Sequence, residues 1–135
     1  MLTANERSIA GFTMLGHGLF HCFEMVIPIL LVKWIQTFAA SVDVVGVIVA
    51  IGFAPIWLAA LPGGLLVDRY GPDTVLLVSI LGMTFGFGTL AFAPSIQAVG
   101  VSLGVWGLFA GIYHPGGMSL ISTGAKHRGT VFAYH

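Results

Sequence analysis

The chain has 135 residues, of which 57% are hydrophobic and only 7% carry a charge, and its mean hydropathy is +0.99. This composition excludes a soluble globular protein and indicates a membrane protein with several spans, or a piece of one. The formal net charge is zero, so composition gives no reason to expect a nucleic-acid partner. The single cysteine, Cys22, excludes an internal disulfide and a cysteine-based metal cluster; no metal and no cofactor is predicted.

Four apolar runs are long enough to cross a bilayer, which takes roughly 17 to 25 helical residues. They cover residues 9–32, 44–67, 75–93 and 98–122. The first run is too long for a signal-peptide core and contains two histidines and a glutamate, so we expect it to stay in the protein as a helix. The connections are short, so consecutive helices are expected to be antiparallel neighbours. The predicted fold is therefore all-α, with one transmembrane domain over residues 1–135.

The first span carries a polar stripe. Thr13, His17, His21 and Glu24 follow one another at intervals of four, four and three residues, which places them on one narrow face of a helix. An acid or base at the centre of a membrane costs about 2.5 to 3.5 kcal/mol and usually faces a bundle interior or a water-filled cavity. We therefore expect His17 and His21 to line a cavity, and Glu24 to exchange a proton with His21. The alternative is that Glu24 lies near the outer headgroups and is merely solvated.

Residues 63–73 predict a tight polar turn between the second and third spans. Asp68 and Arg69 stand side by side there, with glycines before and after them. Such a turn lets two helices reverse direction without burying unpaired backbone groups or charges in lipid.

Glycines mark the third and fourth spans. In the third they indicate close helix packing, because small residues let backbones approach. In the fourth they form a single stripe, which Pro115, Gly116 and Gly117 follow. Pro115 cannot donate to a carbonyl one turn earlier, so we expect a kink or opening that lets His114 address a cavity. The alternative is a packing kink with His114 hydrogen-bonded to a neighbouring helix. At a rise of about 1.5 Å per residue, His17 and His114 lie at similar depths and could face each other.

Capping residues and basic residues set the boundaries and the orientation. Asp43 is predicted to cap the second helix and Ser95 the fourth. Residues 123–129 are read as a loop, and residues 130–135 as the start of a fifth helix, which suggests a chain truncated at its C-terminus. The positive-inside rule predicts a cytoplasmic N-terminus, because four bases fall on one side and only Lys33 on the other. Those four bases are Arg7, Arg69, Lys126 and Arg128.

The pattern GxLxDRxG over residues 64–71 resembles the loop between helices 2 and 3 in the major facilitator superfamily of secondary transporters. In that superfamily two basic residues normally follow, whereas Pro72 and Asp73 follow here. The resemblance implies a bundle of the major-facilitator type and a loop that latches the cytoplasmic side. The residues that carry this role over are Gly64, Asp68, Arg69 and Gly71.

A narrower resemblance rests on the His-Pro-Gly-Gly segment that begins at His114, the His-x-x-Glu segment that ends at Glu24, and Arg128-Gly129. These are similar to the fosmidomycin-resistance-like branch of the superfamily and to related prokaryotic transporters. Many proton-driven exporters of the superfamily carry an arginine in helix 4, and the aligned position here is Gly107.

The resemblance implies the N-terminal portion of a secondary transporter, not an enzyme. It is expected to move a small molecule, such as an exported drug or metabolite, by alternating access with proton coupling, helices 1 and 4 lining the path. The expected setting is a prokaryotic plasma membrane, with the rest of the transporter C-terminal to this chain. A second hypothesis is a four-helix membrane haem protein for electron transfer, with two of His17, His21 and His114 as axial ligands. That hypothesis leaves the Asp68-Arg69 turn without a role.

Overall fold

The computed structural model describes all 135 residues as five α-helices with no strand. The helices are α1 (Ala4–Phe38), α2 (Val42–Tyr70), α3 (Pro72–Thr89), α4 (Ile96–Gly124) and α5 (Arg128–Tyr134), and a 3-10 turn, Leu90–Phe92, extends α3. The first four are long and apolar enough to cross a membrane. The all-α class, the four spans and the start of a fifth helix are confirmed.

The helices are longer than the apolar runs that predicted them. α1 has 35 residues, a length of about 52 Å, whereas the hydrocarbon core of a bilayer is about 30 Å thick. Its first and last turns therefore extend into the polar regions on the two sides of the membrane.

Hydroxyl side chains cap three of the helices. Ser95 caps α4 as predicted, since its Oγ accepts a hydrogen bond from the N–H of Ala98 at 3.2 Å. The cap predicted for α2 was wrong, because Ser41 takes that position and accepts from the N–H of Val44 at 3.3 Å. Asp43 instead lies in the first turn of α2, where its negative charge interacts favourably with the positive end of the helix dipole.

The reversal between α2 and α3 is shorter than the predicted turn. α2 continues through Tyr70, so Asp68 and Arg69 lie in its last helical turn, and only Gly71 separates the two helices. Gly71 has φ +81°, a conformation that costs glycine little, and Pro72 then starts α3 with its fixed φ. One glycine and one proline thus replace the longer loop.

α4 is the central helix of the bundle. Its buried side chains Leu103, Trp106 and Tyr113 form much of the core. Close packing needs glycine at both of its interfaces. A Cβ on Gly86 of α3 would lie 2.5 Å from the backbone N of Trp106, and one on Gly107 would lie 2.6 Å from the carbonyl oxygen of Gly52 in α2.

The predicted opening of α4 is absent. Residues 96–124 form one uninterrupted helix with Pro115 inside it. Pro115 packs against α2, since a Cβ on Gly63 would lie 3.1 Å from its Cγ, and Gly116 lies against the backbone of Leu76 in α3. Packing on both sides keeps the segment helical although proline removes one backbone hydrogen bond.

Candidate functional site

Four histidines from three helices meet in one place, which we call the histidine cluster: His17 and His21 on α1, His114 on α4 and His135 just after α5. The ring centroid of His17 lies 4.6 Å from that of His21, 5.5 Å from that of His114 and 4.4 Å from that of His135. The structure therefore brings His17 and His114 together. Their similar depths on two helices had indicated that they could face each other.

A chain of hydrogen bonds runs along the polar stripe of α1. Nδ1 of His21 bonds to Oε2 of Glu24 at 2.9 Å, and its Nε2 lies 3.0 Å from Nε2 of His17. Nδ1 of His17 in turn contacts the backbone oxygen of His135. Polar contacts thus continue along α1 from Glu24 through two imidazoles to His135, the residue that follows α5.

The stripe is not sealed inside the bundle. The side chain of His21 is 49% exposed and that of Glu24 is 39% exposed, whereas Thr13, one turn before His17, is fully buried. Glu24 lies near the middle of α1 and not at its end. This face lies open at the surface of the bundle.

Tyr113 fixes the height of α4 against α1. Its hydroxyl donates to the carbonyl oxygen of Thr13 at 2.6 Å, and its ring stacks on His17 with centroids 6.3 Å apart. Gly16 makes room for this ring, because a Cβ there would lie 2.6 Å from Cε2 of Tyr113. Since His114 follows Tyr113 directly, this contact sets the height at which His114 meets His17.

Sequence reasoning missed His135 as a member of the cluster. The sequence placed it in an early turn of a fifth helix, but the rotation of that helix could not be known from so short a segment. Gly117 of α4 lies under the ring, since a Cβ there would be 3.6 Å from Cε1 of His135.

Sequence reasoning also missed Glu6. Its side chain is 2% exposed, and its Oε1 accepts hydrogen bonds from the N–H groups of Lys126 and His127 at 3.0 and 2.8 Å and contacts Nδ1 of His127 at 3.0 Å. Its Oε2 accepts from the N–H of Thr3 at 2.8 Å, which completes a capping box. The Thr-x-x-Glu spacing is a sequence signal for the capping box, but the contact with the α4–α5 loop spans about 120 residues and has no local signal.

The Asp68-Arg69 pair stands apart from the histidine cluster. Both residues are exposed at the end of α2, and the guanidinium of Arg69 lies 5.3 Å from the ring centroid of Tyr70. Neither side chain forms a hydrogen bond or an ion pair within the chain, and Gly64 has open space around it. This end of α2 presents an unpaired acid and base to its surroundings.

Gly107, the position aligned to the exporters' arginine, has no room for a larger side chain. It faces the carbonyl oxygen of Gly52 and lies within the interface between α2 and α4. The absence of the arginine is therefore a feature of how these two helices pack.

Comparison with known proteins places the chain among transporters. Residues 13–135 match the Major Facilitator Superfamily. The mouse voltage-gated purine nucleotide uniporter SLC17A9 is 28% identical over 92% of this chain, and the rat protein of the same name is 29% identical over the same share. The chain spans 29% of the length of each of these relatives. No solved structure matches.

These matches support membrane transport as the function and do not favour the haem hypothesis. They give no support to the narrower resemblance to the fosmidomycin-resistance-like branch, since the relatives found are mammalian nucleotide transporters by name. The family match extends over most of the chain, from residue 13 within α1 to residue 135, and includes all of α2, α3 and α4. The chain belongs to the Major Facilitator Superfamily.

Proposed function

We propose that this chain is the N-terminal part of a secondary transporter that moves a small molecule by alternating access and couples the movement to protons. The observation that carries the proposal is the hydrogen-bonded chain from Glu24 through His21 to His17, which meets His114 in an otherwise apolar bundle. Helices α1 and α4 line the path. The protein transports its substrate without transforming it, and the direction is outward, as for a drug or metabolite.

The energetic argument starts from the cost of polar groups at membrane depth. Apolar side chains can pack a helix bundle without the desolvation cost that a polar group incurs when it leaves water. Ionisable residues within a membrane span are expensive and usually mark a path for substrate or protons. Four imidazoles and one carboxylate on adjoining helices are therefore better explained by transport than by structure.

Glu24 is the proton-binding group in this proposal. Its carboxylate bonds to His21 and is partly exposed, so it can receive a proton from a water-filled cavity. When the transporter changes the side to which the cavity opens, the same group can release the proton to the other side. His17, His21 and His114 line the remainder of the path.

The Asp68-Arg69 pair supplies the latch in this proposal. It lies unpaired at the end of α2, together with Gly64 and the reversal at Gly71. Its partner would be a part of the transporter beyond this chain, and the contact would close the cytoplasmic side. The setting is the plasma membrane of a prokaryote.

A second candidate is voltage-driven uniport of a purine nucleotide, without proton coupling. The observation that favours it is the name of the two relatives. Imidazole N–H groups are hydrogen-bond donors, so the histidine cluster could bind a phosphate group in place of a proton.

The two candidates differ in what drives accumulation. Membrane vesicles that contain the native protein are given a panel of labelled purine nucleotides and cationic drugs, first under a pH gradient with the voltage clamped at zero, then under a voltage without a pH gradient. Proton coupling predicts accumulation above equilibrium under the pH gradient alone. Accumulation of a purine nucleotide under the voltage, with no accumulation of any solute under the pH gradient, would replace this proposal with nucleotide uniport.

A further inference from the structure

The histidine cluster has a property that transport of an organic molecule does not require. His17, His114 and His135 each offer a ring nitrogen, and these three nitrogens all lie within 4.8 Å of one another. Each residue comes from a different part of the chain, and each is half-buried. Three imidazoles that converge at membrane depth are a potential ligand set for a metal ion.

The spacing is close to what a metal ion needs. A zinc–nitrogen bond is about 2.0 to 2.1 Å long, so two ligand nitrogens on a tetrahedral ion lie about 3.3 Å apart. The three nitrogens lie within 4.8 Å of one another, so coordination requires them to move closer together by up to about 1.5 Å. Tyr113 and Gly16 already hold α1 and α4 at the height that this convergence requires.

A second observation points to a missing partner. Nδ1 of His135 is buried and has no hydrogen-bond partner. A buried polar atom without a partner is costly, and a bond to a cation would satisfy it. His135 stacks on His17, with ring centroids 4.4 Å apart, so the unsatisfied nitrogen belongs to the same cluster.

The contacts of His17 suit a metal ligand. Its Nδ1 contacts a backbone oxygen, which assigns the hydrogen to Nδ1 and leaves a lone pair on Nε2. Ligating histidines usually have their second nitrogen oriented by an oxygen in this way. Nε2 lies 3.0 Å from Nε2 of His21, and since it is the acceptor there, Nε2 of His21 must carry the hydrogen, which requires a proton on Glu24 or on both nitrogens of His21. A metal ion on Nε2 of His17 would displace this contact and separate His17 from the His21–Glu24 pair.

The donor set selects the class of ion. Imidazole nitrogen suits Zn²⁺, Cu²⁺, Ni²⁺ and Co²⁺, whereas Mg²⁺ and Ca²⁺ prefer oxygen. We propose that His17, His114 and His135 bind one divalent transition-metal ion of the Zn²⁺ class, with the fourth coordination position open. This goes beyond the proposed function, and it departs from the sequence, which predicted no metal.

The test is a titration of the purified native protein in detergent with Co²⁺, a spectroscopic substitute for Zn²⁺. We expect visible absorption bands of nitrogen-ligated, tetrahedral Co²⁺ that saturate at one ion per chain and are lost when Zn²⁺ is added. His114→Gln should weaken Co²⁺ binding by more than about tenfold. The matched control is His127→Gln, which removes the one histidine of these 135 residues that lies outside the cluster and should leave the affinity unchanged.

A further variant separates ligation from structure. His114→Cys should keep the ion and add a sulfur-to-cobalt charge-transfer band, which a merely structural role for His114 would not produce. Circular dichroism of each variant shows whether it is folded. The proposal is overturned if the native protein gives no tetrahedral spectrum, or if a folded His114→Gln variant binds Co²⁺ as tightly as the native protein. These measurements need no transport, so their failure leaves the proposed function standing.

Discussion

The carboxylate of Glu6 links parts of the chain that are far apart in sequence. It ties the first turn of α1 to the loop between α4 and α5 through backbone N–H groups of Lys126 and His127. A carboxylate that accepts several N–H bonds has its ionised form stabilised. The residue therefore holds three helices together at the end of the bundle where the chain begins.

Replacement of Glu6 by glutamine should lower the thermal stability of the protein. A neutral amide is a weaker acceptor than a carboxylate, and its NH₂ group would face the N–H donors that Oε1 and Oε2 now accept. The measurement is the midpoint of thermal unfolding in detergent. Asp73→Asn is the matched control, because Asp73 is an exposed acid in the first turn of α3. Equal midpoints for the two variants would show that the Glu6 contacts contribute nothing.

The packing of helix α3 on helix α4 depends on Gly86 and not on the nearby Gly88. Gly86 meets the backbone of Trp106, whereas nothing lies within 4 Å of a Cβ built on Gly88. A glycine that meets backbone has no flexible partner that could move aside for a methyl group. The sequence predicted packing for both positions without a means of telling them apart.

Gly86→Ala should destabilise the protein by about 1 to 3 kcal/mol, the usual cost of overpacking. Gly88→Ala should be neutral or stabilising by up to about 1 kcal/mol, because alanine favours a helix more than glycine does. Denaturant unfolding of both variants measures the difference. The packing account fails if the two changes have the same effect.

Helices were predictable where their signals are local in the sequence. The lengths of the apolar runs alone indicated the four spans. The position of Ser95 directly before an apolar run indicated that it caps α4. The opening predicted as one outcome at Pro115 is absent because the neighbours of α4 decide it: Gly63 and Leu76 pack around the segment and keep it helical. At this position, packing against neighbouring helices outweighs the tendency of proline to interrupt a helix.

At the scale of the whole molecule, the meeting of His17 and His114 followed from helix lengths, since antiparallel helices place residues of known depth opposite one another. The part played by His135 did not follow, because a helix of seven residues carries too little periodicity to show which face it presents. The tie between Glu6 and the α4–α5 loop joins residues too far apart in sequence for any pattern to indicate.

The orientation of the bundle is a further proposal, with the N-terminus in the cytoplasm. The contacts of Glu6 bring the start of α1 and the α4–α5 loop to one end, so Arg7, Lys126 and Arg128 share that end. Lys33 lies near the other end of α1. This is the asymmetry that the positive-inside rule describes.

Cysteine labelling tests this orientation in intact cells. In a background in which Cys22 and every other cysteine of the transporter are replaced by serine, an impermeant thiol reagent should label Thr37→Cys at once, and should label Asp73→Cys only after the cells are permeabilised. Both positions are exposed and lie at opposite ends of the bundle. The reverse pattern would place the N-terminus outside and move the Asp68-Arg69 pair away from the cytoplasm.

The central claim is that Glu24 couples transport to protons. The most direct measurement compares native protein with Glu24→Gln in membrane vesicles, for a solute that the native protein accumulates under an imposed pH gradient, with Asp43→Asn as the control acid outside the path. We predict that Glu24→Gln still lets the solute equilibrate but no longer accumulates it, while Asp43→Asn behaves as the native protein does. Accumulation by Glu24→Gln at the native level would remove Glu24 from the mechanism and contradict the account.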